Sequence, residues 1–342
     1  MAVDENDNMM TDERNYSLLV HNTFGIEARC SRFLEFSTVE EAQEVAAILR
    51  SSATPYIIIG GGSNLLLTQD YEGIVVHSAL KGYHIDGETM TCGSGMVWDD
   101  VVALSLDAGL YGMENLSLIP GDVGASAVQN IGAYGAEAKD LIDTIEAVEI
   151  ATGRVVTLAG KDCGYGYRQS KFKHEWKNKY LLTHVTYRLS RTFKAQLDYG
   201  NIRAELERKG ISEPTAKALR ETIIDIRNAK LPDPKIEGNA GSFFMNPIVS
   251  RQQYEALAAQ YEGMPHYDID ADHVKVPAGW MIDQCGWKGK SLGRAGVHSK
   301  QALVLVNRGG ATGSEIVALS DAIRHDVREK FGIDIYPEVN II

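Results

Sequence analysis

Cysteine is scarce in this sequence of 342 residues, and no two cysteines form a Cys-x-x-Cys pair. Redox or zinc motifs would need such close spacing. The wide separation favours reduced thiols over disulfides or a metal site. We therefore assign no role to the four cysteines, which are Cys30, Cys92, Cys163 and Cys285.

Long apolar runs and a basic N-terminal segment are also absent. No stretch approaches the roughly 18 apolar residues of a membrane-spanning helix, and residues 1–8 lack the basic and apolar regions of a signal peptide. We therefore expect a cytoplasmic protein with no membrane insertion. Positive charge is in deficit, with 34 Lys and Arg against 46 Asp and Glu. The net charge of −12 predicts no nucleic-acid binding.

What the sequence has is the length for about two domains and an ordinary globular composition, 44% hydrophobic and 23% charged. Apolar residues at helical spacing alternate along the chain with short apolar runs typical of strands. Helices are predicted at 37–50, 98–109, 212–229, 251–261, 278–285 and 313–331, strands at 55–59, 74–77, 181–189, 302–306 and 335–342, and a β-hairpin at 145–158.

A glycine-rich turn, Gly60-Gly-Gly-Ser-Asn64, follows the predicted buried strand at 55–59. A dinucleotide fingerprint would need a third glycine where Leu65 stands, and no long amphipathic helix follows, so a two-sided nicotinamide fold is excluded. The turn instead predicts backbone N–H groups that bind a phosphate, with Ser63 and Asn64 as further donors. A plain tight turn is the alternative.

Residues 119–135 are rich in Gly, Ala and Ser and carry hardly any charge. We expect this segment to form neither a helix nor a central strand, although it is too apolar for a solvated linker. Small residues let backbone amides approach a ligand closely. The segment therefore predicts a binding surface for a large planar cofactor with a pyrophosphate tail.

A proline- and glycine-rich loop spans residues 230–247 and contains Ser242 beside Phe243 and Phe244. Lysine and asparagine residues around this hydroxyl suggest a proton donor in an anion-binding pocket; the alternative is a connection whose two phenylalanines fill the core. Arg168, which follows Tyr165-Gly-Tyr, is interpreted as a placed guanidinium rather than one more surface arginine.

Seven motifs in order resemble those of the UDP-N-acetylenolpyruvoylglucosamine reductase (MurB) family. They cover the chain from about residue 22 to its end. The insertion at 165–173 and the turn at 197–200 are similar to its type I branch, while Gly61 stands where a Glu is common. The motifs are residues 60–64, 119–122, 129–135, 165–168, 230–235, 238–244 and 337–339.

The resemblance implies an α+β protein with the two-subdomain FAD-binding fold of the vanillyl-alcohol-oxidase (PCMH) type, followed by a C-terminal α/β substrate-binding domain. We expect residues 1–21 to be a flexible tail, 22–192 to be the FAD-binding domain and 193–342 to be the substrate-binding domain. We also expect a monomer.

The reaction implied by the resemblance is reduction of UDP-N-acetylglucosamine enolpyruvate by NADPH through non-covalent FAD, with hydride passing from flavin N5 to the vinyl C3. Ser242 would donate a proton to C2. Arg168 and Glu338 would polarise the substrate carboxylate, with Glu338 protonated or bridged through Arg168 or water. The alternatives are another FAD-dependent oxidase of the same fold and a nucleotide-sugar-binding protein without flavin.

Two larger sets of residues are expected to bind the ligands. The substrate contacts are Tyr167, Tyr199, Arg227, Lys230, Asn246 and Gln301. The FAD contacts are Gly60, Gly61, Gly62, Ser63, Asn64, Leu65, Pro120, Gly121, Gly124, Ala125, Ser126, Asn130, Gly132, Ala133, Tyr134 and Gly135.

Overall fold

The computed structural model describes residues 10–342 and contains two compact units. Of the described residues, the first unit contains 10–16, Cys30–Gly61 and Glu72–Ala229. The second contains Ser17–Arg29, Gly62–Tyr71 and Lys230–Ile342. The chain therefore enters the second unit twice before its C-terminal third.

Most strands are short and antiparallel. In chain order they are β1 Thr11–Ser17, β2 Arg29–Phe36, β3 Tyr56–Ile59, β4 Leu65–Leu66, β5 Tyr71–Ser78, β6 Tyr83–Asp86, β7 Thr89–Gly93, β8 Gly132–Ala133, β9 Ala136–Glu137, β10 Ile142–Glu149, β11 Val155–Ala159, β12 Tyr180–Arg188, β13 Gly238–Ser242, β14 Ile248–Ser250, β15 Tyr267–Asp268, β16 His273–Lys275, β17 Ser291–Leu292, β18 Ala295–Val297, β19 Val304–Asn307 and β20 Asn340–Ile341.

The helices are interspersed among these strands. They are α1 Val39–Ser51, α2 Trp98–Asp107, α3 Val123–Gln129, α4 Ile202–Arg208, α5 Ala216–Lys230, α6 Arg251–Ala258, α7 Ala278–Gln284 and α8 Gly313–Phe331.

The first unit contains two larger sheets, ordered β1-β2-β5-β3 and β11-β10-β12-β7-β6, and the two-stranded sheet β8-β9. In the first sheet β3 runs parallel to β5, and this register places Ile59 beside His77. The second sheet is antiparallel and includes the predicted hairpin, β10 with β11. Its core surrounds Trp98 and Tyr187, whose rings meet edge to face at 5.6 Å.

The second unit is organised around the sheet β13-β19-β18-β17, with α8 packed beside it. α8 begins with a capping box formed by Thr312 and Glu315 and ends at Gly332 in the left-handed conformation. The parallel pair β4 and β20 joins residues 65–66 to the chain's last residues.

One expectation differs from this arrangement, and another stays open. Residues 1–9 of the predicted tail lie outside the described residues, but Thr11–Ser17 forms a strand at the edge of the first sheet. The predicted domain division at 192/193 stays a prediction, while the compact units change over at 229/230. Among residues 10–342, every helix is too short or too polar to span a bilayer.

Candidate active site

The glycine-rich turn begins where β3 ends. A Cβ atom on Gly60 would come within 3.0 Å of the Ala125 Cβ, and one on Gly61 within 3.2 Å of the Asp122 carboxylate. Larger side chains at 60 and 61 would therefore displace the segment before α3 or its first turn. The small residues let two predicted cofactor segments, 60–61 and 119–135, lie against each other in the first unit.

The 119–135 segment contains a short helix, so the expectation that it could not be helical is wrong. α3 forms because tertiary contacts outweigh its weak helix propensity. The amides of Val123 and Gly124 donate to the Met96 and Ser94 carbonyls at 2.9 and 2.8 Å. Asn130 ends the helix in the left-handed conformation.

Two polar side chains assigned to the cofactor hold this segment in place. Ser126 Oγ donates to the Val123 carbonyl at 2.7 Å and lies 2.9 Å from the Tyr187 hydroxyl. Asn130 Nδ2 donates to the Glu137 carboxylate at 2.8 Å and to the Gly166 carbonyl at 2.7 Å. Both side chains are buried, so we assign them a structural role in shaping the 119–135 segment.

The surface around these segments suits FAD. Ile57 and Ile59 of β3 are only half-buried, although the sequence predicts a buried strand, and Ile119, Ala125 and Ile131 are also half-buried. Apolar side chains left partly open beside glycine amides provide what a planar ring and a pyrophosphate need. The residues present therefore fit this cofactor.

Arg168 occupies a tight turn between Gly166 and Gln169, whose backbones exchange two hydrogen bonds of 3.0 and 3.1 Å. The turn presents Tyr167, which is exposed, and Arg168, which is half-buried. Arg168 has a φ of 55°, an unfavourable value for a residue with a side chain. Its Nη2 donates to the Gly132 carbonyl at 2.9 Å, which ties the guanidinium to the 119–135 segment.

A second guanidinium and two tyrosines lie near Arg168 in the same unit. Arg227 of α5 donates through Nε to the Leu118 carbonyl at 3.2 Å. Burial lowers the pKa of Arg227, Tyr134 opposes that change, and the positive charge of Arg168 adds to it. Tyr199 lies against the turn at Gly135, about 3.4 Å from the position of a Cβ there. Four residues predicted from distant motifs are thus brought together.

Ser242 and Glu338 are neighbours in the second unit. The Glu338 amide donates to the Phe243 carbonyl at 2.8 Å, and Phe244 pairs with Pro337. Asn64 lies beside the same segment, since its Nδ2 is 3.4 Å from the Glu338 carbonyl. This pairing places a predicted FAD residue next to two predicted catalytic positions.

The Ser242 side chain is exposed. Within residues 10–342 its hydroxyl has no hydrogen-bond partner, so it does not cap the turn before Phe243. The turn is instead held by buried Asn239, whose Oδ1 accepts from the Gly241 amide at 2.9 Å. Ser242 is therefore not needed to hold this end of β13, a strand within the segment that the sequence predicts as a loop.

Three predicted substrate residues are also in the second unit. Lys230 is exposed at the end of α5. Asn246 Oδ1 accepts from the Ala278 amide at 2.9 Å, which satisfies the first N–H of α7. Gln301 Oε1 accepts from the Leu303 amide at 3.3 Å. The structure gives Asn246 and Gln301 local structural roles that their sequence context does not indicate.

Known proteins match the chain along nearly all of its length. A UDP-N-acetylenolpyruvoylglucosamine reductase of Bacteroides fragilis (strain YCH46) is 56% identical over 336 residues, which is 96% of this chain and 100% of the relative. The chain belongs to the UDP-N-acetylenolpyruvoylglucosamine reductase family. The Flavobacterium johnsoniae member is 45% identical over 339 residues, 97% of this chain and 100% of its own.

Domain and structure comparisons agree with this assignment. Residues 31–159 match a family model described as an FAD binding domain, and residues 233–342 match one described as the C-terminal domain of UDP-N-acetylenolpyruvoylglucosamine reductase. The crystal structure of the reductase (MurB) from Thermus caldophilus has a TM-score of 0.69 at 22% identity, covering 97% of this chain and 99% of that one. The predicted fold class and the FAD cofactor are confirmed.

Sequence reasoning missed one charged group at this site. His77 lies with its Nδ1 2.8 Å from Glu35 and its Nε2 3.6 Å from Asp122. Asp122 was part of a family motif, and the histidine ended a predicted strand, but nothing in their spacing links them. The only available signal was a histidine at the end of an otherwise apolar strand.

Proposed function

We propose that this chain reduces UDP-N-acetylglucosamine enolpyruvate to UDP-N-acetylmuramate, with NADPH as the reductant, in the synthesis of peptidoglycan precursors. The observation that carries the proposal is the 56% identity to a reductase of that name over 96% of the chain. The clustering of Arg168, Arg227, Tyr134 and Tyr199 supports it, because an anionic substrate needs cations in a protein of net charge −12.

FAD, when bound, would supply the hydride chemistry, which links NADPH as the reductant, through flavin N5, to the vinyl C3 of the substrate. In the first unit we assign its binding to the glycine amides at 60–61 and to the 119–135 segment. In the second unit the assignment covers Gly62, Ser63, Asn64 and Leu65. The task left to the chain is to hold the substrate, stabilise the charge that forms on it and supply one proton.

Arg168 is proposed to bind the substrate carboxylate. Hydride addition at C3 shifts electron density towards C2 and that carboxylate, and a planar guanidinium matches a carboxylate with two parallel hydrogen bonds. The hydrogen bond from Nη2 to the Gly132 carbonyl fixes one end of the group. A donor fixed before the reaction needs little reorganisation when the charge develops.

Ser242 is proposed to donate the proton to C2, and Glu338 to polarise the carboxylate as a positioned acid or through a bridging group. Ser242 is suited to the task because its exposed hydroxyl serves no hydrogen bond among the described residues. The backbone hydrogen bond from Glu338 to Phe243 keeps the two positions adjacent.

The remaining contacts are proposed to hold the nucleotide and sugar. Arg227 and Tyr199 lie in the same unit as the Arg168 turn, and Tyr167 is presented by that turn itself. Lys230, Asn246 and Gln301 are assigned to the same task from the second unit. A monomeric state and a cytoplasmic location stay predictions.

A spectroscopic assay tests the proposal. The purified protein is reduced with NADPH while flavin absorbance is recorded, and the substrate is then added without oxygen. We expect bleaching by NADPH and prompt recovery by the enolpyruvyl substrate. Recovery with oxygen alone and none with the substrate would favour the alternative of a flavin oxidase, and a protein that takes up no FAD would contradict both.

A further inference from the structure

A partly buried ion-pair cluster, made of His77, Glu35 and Asp122, lies beside the glycine turn. His77 sits near the end of β5, and strand register places it beside Ile59, the residue before Gly60. Glu35 comes from neighbouring β2, and its carboxylate is 2.8 Å from His77 Nδ1. The other imidazole nitrogen, Nε2, is 3.6 Å from the Asp122 carboxylate. One imidazole therefore bridges two carboxylates from different elements.

Asp122 brings this cluster to the turn. It precedes α3, yet its side chain accepts no hydrogen bond from the first amides of that helix. Its two carboxylate oxygens instead lie 3.2 Å from a Cβ position on Gly61 and 3.5 Å from one on Gly60. The carboxylate thus faces the backbone to which we assign a phosphate of the cofactor.

A carboxylate at that place opposes the binding of an anion. Like charges a few ångströms apart in a partly buried site repel each other, with an energy that grows as water is excluded. The repulsion falls when a fixed positive charge sits on the carboxylate. Among the described residues, His77 is the group that the structure places at Asp122 for this purpose.

We propose that His77 is a positioning residue that neutralises Asp122 and so allows the Gly60–Gly61 turn to bind the pyrophosphate of FAD. Glu35 orients the imidazole from the opposite side, and the Phe33 ring lies over it at 6.4 Å between centroids. The inference rests on the proposed function, since it takes the Gly60–Gly61 turn as part of the cofactor site.

The protonation of His77 supports this role. Burial alone would lower the pKa of the imidazole, but the Asp122 and Glu35 carboxylates outweigh burial and raise that pKa to about 9. His77 is therefore charged at neutral pH, and its charge is lost as the pH rises through about 9. Tyr16 of β1 is a further titratable group, near Glu35, and burial raises its pKa.

The test measures FAD binding to the apoprotein by quenching of flavin fluorescence, a readout that does not require turnover. His77→Gln keeps a polar side chain of similar size and removes the charge. We expect it to weaken FAD binding by on the order of ten-fold at pH 7, the scale of one charge-assisted interaction. His184→Gln is the matched control, because His184 forms a comparable pair with Glu146, at 3.0 Å, in the other sheet of this unit. It should leave the Kd unchanged.

Asp122→Asn separates charge from structure. It removes the repulsion, so FAD should bind at least as tightly as in the wild type, and His77→Gln combined with Asp122→Asn should match Asp122→Asn alone. The affinity of the wild type for FAD should fall as the pH rises above about 9. Asp122→Asn should show a smaller fall in affinity. Any titration of FAD itself affects both proteins equally, so it cannot account for the difference.

Equal Kd values for His77→Gln and His184→Gln, or a double variant as weak as His77→Gln, would overturn the inference. If His77→Gln does not fold, as judged by melting curves, the pH profiles of wild type and Asp122→Asn decide in its place. A wild-type apoprotein that binds no FAD would overturn the cofactor assignment itself. That outcome differs from tight FAD binding that does not depend on His77, which would overturn only this inference.

Discussion

Arg168 combines an unfavourable backbone conformation with a fixed side chain. A φ of 55° costs a non-glycine residue roughly 1–2 kcal/mol. The energy is offset by the two hydrogen bonds that close the turn between Gly166 and Gln169. Strain of this kind is concentrated at functional sites, because a relaxed turn would aim the side chain elsewhere. The turn therefore fixes the direction of the Arg168 guanidinium, a planar group that can donate two parallel hydrogen bonds.

Arg168→Lys should be much more damaging than a change between two cations suggests. A lysine ammonium is a point charge and cannot form two parallel bonds to a carboxylate. We expect reoxidation of reduced flavin by the enolpyruvyl substrate to slow roughly 10²-fold, while reduction by NADPH stays near normal. Arg188→Lys, at an exposed pair with Asp143, is the control and should change neither rate. Equal slowing of both half-reactions would exclude a role specific to the carboxylate.

Ser242→Ala should separate the two half-reactions more sharply. Hydride transfer from NADPH to FAD needs no proton from Ser242, so flavin bleaching should be unaffected. Protonation at C2 loses its donor, and reoxidation by substrate should slow by about 10²–10⁴-fold, the usual value of a positioned acid. Stopped-flow absorbance measures both rates.

Thermal melting is the control for Ser242→Ala. The hydroxyl makes no hydrogen bond among residues 10–342, so the melting temperature should stay within about a degree of wild type. A loss of stability together with equal slowing of both half-reactions would instead indicate that Ser242 supports the loop.

Among the elements, periodic helices were predictable and α3 was not. α1, α5 and α8 carry apolar residues at helical spacing, and their predicted positions agree with the structure to within a few residues. α3 has no such pattern, because Gly124 and three small residues occupy its middle. Its helix depends on hydrogen bonds to residues 94 and 96, which sequence propensity does not contain. The same reason hid the contact of Asp122 with His77, 45 positions apart in the chain.

Variants of Asn246 can separate its role in stabilising α7 from its proposed contact with the substrate. Its Oδ1 satisfies the first amide of α7, whereas its Nδ2 donates to none of the described residues. Asn246→Ala should cost about 1 kcal/mol of stability and also raise KM for the enolpyruvyl substrate. Asn246→Asp keeps the acceptor and removes the donor, so it should raise KM roughly ten-fold at unchanged stability.

Thr312→Ala is the matched control for this pair. It removes the side-chain cap of α8, with a similar loss of stability and no expected change in KM. Chemical denaturation and steady-state kinetics give the two readouts. A wild-type KM in Asn246→Asp would restrict Asn246 to its role at the start of α7.

At the scale of the whole molecule, the sequence predicted two parts but not how the chain is shared between them. Residues 17–29 and 62–71 belong with the C-terminal unit. The reason is long-range pairing: β4 runs beside β20, and a Cβ on Gly238 would come within 2.1 Å of the Phe24 carbonyl. Such contacts join positions more than 200 residues apart, so local sequence patterns do not predict them. The candidate site residues come from family motifs, which can be recognised along the chain without knowledge of the fold, and their roles stay predictions.

FAD should be held without a covalent bond, and its release should be reversible. Burial raises the pKa of the Cys92 and Cys163 thiols, to about 12 and about 11 respectively, so neither is a ready nucleophile for attachment. Heat or acid denaturation should therefore leave a yellow supernatant above a colourless pellet.

Returning free FAD to the apoprotein at about 100 times its Kd should stabilise the native state by about 2.7 kcal/mol, a shift of several degrees in Tm. Differential scanning fluorimetry with FAD, and with riboflavin as the control that lacks a pyrophosphate, measures the effect. Flavin that stays with the precipitated chain would contradict the prediction, as would an equal shift with riboflavin, since the glycine-rich segments would then contribute nothing through the pyrophosphate.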